Sequence, residues 1–408
     1  MELMNQPFTG QLGNRLIELL DSQEYHTLNI VVAFAKNSGV LRIKDSLERF
    51  RRQNGKINAY VGVDLSGTSY EALTTLLIHT DSLNVVHSEK SQTFHSKIYQ
   101  FIGEDKELIV VGSHNLTGGG LWTNFESSVI IPIDNSSTNN IQMSDYFREL
   151  TLLKDSFMPI KEQGDIDRLL LNGYLVKEVA EQIRLAKTNT QDEARESLFG
   201  NGIPARLPCA TTTQENENTI SIPETQTSSS SASLNSGEGQ TIWFETRCMT
   251  GGSRNILDLS RTSLVERGDP RGTCFDLNNN NRALMLGAVA FFGLNHTETN
   301  NTKDITLHFE GVDYINNMIL FPAGERANGT WRLQIKGINS SERKITDAFR
   351  DKGEEHYLVQ KIITFTKIQG DYYSISVYPE SELSNFQEAS RILARNGATR
   401  TAKQLGLL

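Results

Sequence analysis

His95 and Lys97 stand two residues apart in a strand-like apolar run, Phe94 to Phe101. Strand side chains alternate faces, so these two are expected on one face. A second such run, Glu107 to Val111, ends in Gly112-Ser113-His114-Asn115, and a third, Phe125 to Ile131, carries Glu126 near its start. An imidazole, a cation, an amide and a carboxylate thus fall at the ends of three neighbouring strands. The set suits phosphoryl transfer. An imidazole can attack phosphorus and hold it covalently. Lysine and asparagine can hold the phosphate oxygens. A carboxylate can orient the imidazole and fix which nitrogen is free. Each member also has an ordinary reading. A histidine on an apolar strand is commonly a satisfied core residue, and Gly-Ser-x-Asn can be a strand-ending turn. The ordered combination is far more specific than any one part.

His-x-Lys followed by Gly-Ser-x-Asn resembles the signature of the phospholipase D superfamily, matched at His95, Lys97, Gly112, Ser113 and Asn115. The superfamily's aspartate five residues after the lysine is replaced by Ile102, with Asp105 out of register. Glu126 instead resembles the glutamate of the nuclease branch, the restriction endonucleases of the BfiI, NgoAVII and CglI type. That resemblance implies His95 as nucleophile. Lys97 and Asn115 would hold phosphate, Glu126 would orient His95, and Ser113 would assist. It further implies metal-independent hydrolysis that survives EDTA, with no cofactor in this chain. Sites of this kind use two facing copies of the motif. Only His95, of eight histidines, is followed by lysine at i+2. A homodimer sharing one site is therefore expected.

Positioning these residues calls for a sheet covered by helices. Leu28–Ala35, Ile57–Val63 and Leu83–Val86 read as strands, and Val40–Phe50 and Ser69–Ile78 as helices. Such alternation predicts an α/β domain over residues 1–160, a mixed sheet with helices on both faces. Gly118-Gly119-Gly120 either lets backbone approach a phosphate or forms a flexible loop. Asp165–Lys187 reads as a helix. The whole of 161–240 reads as a helical and polar linker, because its Thr-, Ser- and Gln-rich part cannot build a core. Autoinhibition by segment 211–238 is one expectation for that linker.

Residues 241–408 read as a second domain, and within it 241–378 show many short strand-like runs separated by turns, the pattern of a mostly-β barrel or sandwich. Two loops, 246–260 and 322–332, place arginine and asparagine beside glycine, and these side chains read guanine and adenine. This half resembles the B3-like pseudobarrel of the same endonucleases. By that resemblance Arg247, Ser253, Arg254 and Asn255 form one DNA-gripping arm, and Arg326, Asn328 and Arg332 the other. Trp331 is expected in the core. The tail from Ser384 reads as a helical start with four basic residues, Arg391, Arg395, Arg400 and Lys403.

The net charge of −9 is unevenly divided. Residues 1–239 hold 20 basic against 30 acidic residues, and 240–408 hold 20 against 19. Three scattered cysteines indicate neither a disulfide framework nor a zinc site. No apolar run reaches bilayer length, and a soluble bacterial cytoplasmic protein is expected. The expected partners are double-stranded DNA, a second copy, a companion methyltransferase and a separate helicase-like ATPase using ATP and Mg. The chain itself has no Gly-x-x-x-x-Gly-Lys-Ser/Thr loop. A stand-alone enzyme of the BfiI type and a lipid phosphodiesterase are the alternatives.

Overall fold

A computed structural model describes residues 1–90, 92–134, 143–189, 207–210, 239–249, 252, 254–277, 283–322, 329–354 and 356–408. They form two compact units, one built on Met1–Glu178 together with residues 207–210, the other on Val179–Asn189 and the described residues from 239 onward.

The first unit runs β1 (Glu2–Gln6), α1 (Leu12–Asp21), β2 (Thr27–Val32), α2 (Asn37–Arg52), β3 (Lys56–Gly62), α3 (Tyr70–His79) and β4 (Ser82–Val86). It continues with β5 (Lys97–Ile102), β6 (Lys106–Gly112), β7 (Glu126–Asp134), α4 (Met143–Leu152), β8 (Phe157–Ile160) and α5 (Gln163–Leu171). The eight strands lie in the order β1-β7-β6-β5-β2-β3-β4-β8. Pairs β2–β3 and β3–β4 are parallel and the others antiparallel. The sheet is therefore mixed, as the sequence pattern predicted. Alternation decides which side each residue covers. Tyr99, Phe101, Leu108, Val110 and Ile130 join a core shared with α1, α2 and α3. Their neighbours Ile98, Ile109 and Ile131 pack instead with Tyr146 and Phe147 of α4. Helices thus cover both faces, which is why the central strands read as unbroken apolar runs.

The expected single helix over Asp165–Lys187 is two, α5 and α6 (Glu178–Asn189). The break falls at Gly173, whose φ of +78° is the left-handed stop that ends a helix. Ile166 and Leu169 of α5 join the first core, whereas Val179 and Ile183 of α6 pack with Trp243, Ile362 and Phe386 of the second unit.

The second unit is mostly β: β9 (Thr241–Glu245), β10 (Ile256–Leu259), β11 (Thr262–Arg267), β12 (Leu284–Leu286), β13 (Lys303–Phe309), β14 (Val312–Leu320) and β15 (Trp331–Gln334) come first. After α7 (Ile345–Arg350) follow β16 (Lys361–Gln369), β17 (Tyr372–Pro379), α8 (Leu383–Ala389), β18 (Ile392–Arg395) and β19 (Gln404–Leu407). Eleven strands form one sheet in the order β10-β15-β14-β13-β17-β16-β9-β19-β18-β11-β12. Strand β10 heads that order and β11 lies next to its other end, yet only Ser260 and Arg261 separate them in sequence. So short a connection obliges the sheet to curl until its ends approach. Trp331 is fully buried in the core it encloses. Two expectations change. The first arm loop contains β10, and the helical start of the tail, read over Phe386–Ala394, is α8 and ends at Ala389, before β18 and β19. Ile392, Ala394, Leu405 and Leu407 alternate into the core, a period-two pattern too short to stand out in sequence.

Candidate active site

Strand β5 begins at Lys97, and His95 lies just before it, exposed. The Lys97 side chain is 8% exposed. Its Nζ sits 2.7 Å from His95 Nδ1 and donates to the His95 carbonyl oxygen at 2.8 Å. Burial pushes the Lys97 ammonium below its usual range, and the Glu126 charge opposes that shift. An ammonium has no lone pair. With Lys97 charged, Nδ1 must accept, and the ring proton resides on Nε2. The ring stands edge-on to Phe34, with centroids 5.8 Å apart.

Asn115 is fixed by pairing with the end of β2. The Leu116 N–H donates to the Phe34 carbonyl at 3.0 Å, and the Phe34 N–H donates to Asn115 Oδ1 at 3.1 Å. The Asn115 oxygen is therefore taken by backbone, and its NH2 is the group left to meet an anion. Gly120 backs the same residue. A Cβ there would collide with the Asn115 backbone, so this glycine serves close packing rather than a flexible loop. Gly39 at the start of α2 likewise lies against the Leu116–Thr117 backbone.

Glu126 opens β7 opposite Gln6 of β1. The Ser113 hydroxyl and the Asn124 amide both donate to its carboxylate. The Ser127 N–H donates to Ser113 Oγ at 3.1 Å. The structure therefore gives His95 the partner Lys97, not the expected Glu126, and couples Glu126 to Ser113. Buried Gln6 clamps this region, donating to the carbonyls of Gly119, Gly120 and Asn124. Gln6, Asn124 and Phe34 were missed in the sequence. β1 was not recognised as a strand, and nothing local marks Gln6. His114 is buried, and neither ring nitrogen has a hydrogen-bond partner among the described residues. Burial lowers its pKa and keeps it neutral.

The arginines of the second unit stand differently. Arg247 forks onto Glu245, with Nε at 2.6 Å. Arg332 lies on β15 rather than in a loop, 3.7 Å from Asp258. The Asn255 amide donates to the Ile335 carbonyl at 2.7 Å. Arg254 donates to the Met249 carbonyl at 2.8 Å. Arg254 and Asn255 also line a cavity of about 160 Å³ with Phe349, Arg350, His356 and Tyr357. Ser253, Arg326, Asn328 and segment 211–238 lie outside the described residues.

Among the described residues no group of three or more His, Cys, Asp or Glu is placed to hold a metal, and no helix is long and apolar enough to cross a membrane.

No protein-family model and no curated protein matches this chain. Among solved structures it is similar to Nuc of Salmonella typhimurium, a phospholipase D family member. The identity is 13% over 40% of this chain and 97% of that one, with a TM-score of 0.30. NucT from Helicobacter pylori aligns at 15% identity over 37% of this chain and 94% of its own, TM-score 0.27. Phosphatidylserine synthase of Haemophilus influenzae aligns at 11% over 45% and 43%, TM-score 0.31. Values this low transfer neither activity nor substrate, and the reading of the site rests on its own geometry.

Proposed function

We propose that the first unit hydrolyses DNA phosphodiesters through a phosphohistidine at His95, as the nuclease subunit of a restriction endonuclease. The observation that carries this is the convergence of the sequence set. His95 and Lys97 are in contact, Ser113 and Glu126 are in contact, and Asn115 is pinned with its NH2 to spare. Attack by the bare Nε2 of His95 forms the N–P bond and breaks the P–O bond to the leaving oxygen. His95 of a second copy gives that oxygen its proton. Water then attacks phosphorus, passes its proton to the second histidine and releases His95. Lys97 and the Asn115 NH2 hold the phosphate oxygens throughout.

The two copies need opposite tautomers. The contact between Lys97 and Nδ1 fits the proton donor, which carries hydrogen on Nε2; as that proton goes to the leaving oxygen, Lys97 passes one to Nδ1, so the ring stays a neutral imidazole, and both transfers reverse when water attacks. In the attacking copy Lys97 turns to the phosphate, and Nδ1 takes up the ring proton. A shared site is further supported by Phe8 and Phe125, whose rings touch while remaining 78% and 80% exposed. Phe125 directly precedes Glu126, so a second copy at this rim would cover apolar surface.

The second unit would read the sequence as a B3-like domain, a reading supported by the curled sheet and by left-handed backbone at Arg247 and Arg254. A separate helicase-like translocase would supply any ATP dependence; a stand-alone enzyme would cut without ATP. Plasmid cleavage in EDTA, with and without ATP, tests the reading when combined with trapping of labelled DNA on protein by an alkaline SDS quench. Cleavage in EDTA with a trapped, acid-labile adduct supports it. Cleavage strictly dependent on added Mg in the isolated protein, with no adduct, refutes the phosphohistidine.

A further inference from the structure

His95 lies in the loop between β4 and β5, where His87 directly follows β4 and Phe94 directly precedes His95. Both His87 and Phe94 are held by one carboxylate. Asp64 Oδ1 lies 2.7 Å from His87 Nδ1, and Asp64 Oδ2 accepts the Phe94 N–H at 2.9 Å. A carboxylate can only accept, so His87 donates from Nδ1. Asp64 is thus bonded to the residue that opens the loop and to the residue directly before His95.

The turn that carries Asp64 is itself unusual. Leu65 and Ser66 are consecutive non-glycine residues with φ of 55° and 56°. Such positions are sterically disfavoured and persist where surroundings impose them. The Leu65 side chain is 81% exposed, so burial of that side chain does not account for the turn. The turn's other contacts lead to the site. Lys36 Nζ donates to the Ser66 carbonyl at 3.1 Å. Gly67 lies so close to the Phe34 ring that a Cβ would collide with it, and Phe34 is the ring against which His95 stands. One strained turn therefore touches His95 by two routes, through the backbone at Phe94 and through the Phe34 ring. The remaining charged group at His87 is Glu89, whose carboxylate lies 3.8 Å from Nε2 and accepts from the Tyr174 hydroxyl.

We propose that Asp64 and His87 are positioning residues for His95, forming a strut that fixes the height and tilt of its imidazole. This rests on His95 being the nucleophile. Neither residue touches phosphate in this role; the strut acts on the rate of N–P bond formation rather than on substrate binding. Misplacement of a reacting atom by about 1 Å can cost roughly 10²-fold in rate.

The test uses the full chain and the chromogenic diester bis(p-nitrophenyl) phosphate, with His95→Ala as control. Asp64→Ala is expected to lower kcat about 100-fold with KM within threefold. Asp64→Asn keeps one acceptor for Phe94 and is expected to recover about tenfold of that loss. His87→Ala should lower kcat about tenfold, and His87→Asn, which restores a donor, should recover most of it. The 15N spectrum of the His95 ring should broaden or split in Asp64→Asn. That readout keeps the idea testable if Asp64→Ala fails to fold. Loss of KM alone, or unchanged kcat and an unchanged His95 spectrum in Asp64→Asn and His87→Ala, overturns the strut. If His95→Ala retains normal turnover, the nucleophile assignment has failed instead.

Discussion

The two units hold their functional candidates in opposite ways. In the first, short side chains stand at strand ends, and main-chain bonds aim them. The Asn115 oxygen is fixed by the Phe34 N–H and the Ser113 hydroxyl by the Ser127 N–H. In the second, the arginines are long, and the three named from the sequence that lie among the described residues fold back onto their own unit: Arg247 onto Glu245, Arg332 beside Asp258, Arg254 onto a carbonyl. A catalytic group must be placed to a fraction of an ångström before substrate arrives. A groove-reading guanidinium has many rotamers and can exchange partners on binding. Pre-organisation is therefore visible in the first unit and not seen among the described arginines of the second.

The largest effect that would sharpen this contrast is at His95. His95→Ala should lower plasmid cleavage by at least roughly 10³-fold while sequence-specific binding in a gel-shift assay persists. Equal loss of cutting and binding would break the division of labour. Glu126→Gln should follow at about 10²-fold in kcat, with Ser113→Ala within about tenfold, since the serine reaches the site through that carboxylate. A larger serine effect would reverse their order. In the second unit Arg254→Ala should weaken specific DNA binding about tenfold, on the scale of one lost base contact. Arg247→Ala, whose guanidinium is held by Glu245, should change affinity less than threefold. Fluorescence anisotropy at fixed salt decides, and a tenfold effect from Arg247 would show that its ion pair opens on DNA.

The smallest expected effect concerns stability. Glu71 is pushed up to about 7 by burial and by the neighbouring Glu178 charge. It donates nothing as a carboxylate but accepts the Glu178 N–H. An acid whose folded pKa is raised favours the fold while protonated. Its contribution is full below the unfolded value near 4.5 and is lost as pH rises toward 7. The melting temperature should therefore fall between pH 5 and 8, and Glu71→Gln should flatten that fall by about 3 °C. An unchanged slope would mean that Glu71 is ionised in the fold without strain.

Much of the first unit was legible because its signals are local. The β2, β3 and β4 runs are apolar since both sheet faces are covered, and α2 and α3 carry one apolar side each. The helices read at Val40–Phe50 and Ser69–Ile78 fall within a few residues of α2 and α3, although Gly173 was passed over as a break. Edge and late strands were not legible. β1, β18 and β19 are four or five residues long, and pairing with distant partners decides them rather than their own pattern. Arg332 reads both ways in the sequence, at the end of the loop 322–332 and inside the strand-like run Trp331–Ile335, and pairing with β10 and β14 on either side decides for the strand.

The amino-acid order alone determined which chemistry is available: one imidazole, one lysine, one amide and one carboxylate in fixed succession on strand-forming stretches. Only the tertiary structure decided who faces whom. It set Lys97 rather than Glu126 against His95, joined Glu126 to Ser113, and ran the support of His95 back to Asp64 and Phe34. The physical reason is range. Side-chain alternation and backbone propensity act over a few residues and can be read from a string of letters. Contacts such as Phe34 with His95 or Gln6 with Asn124 depend on strand register across the sheet, which many distant residues set together.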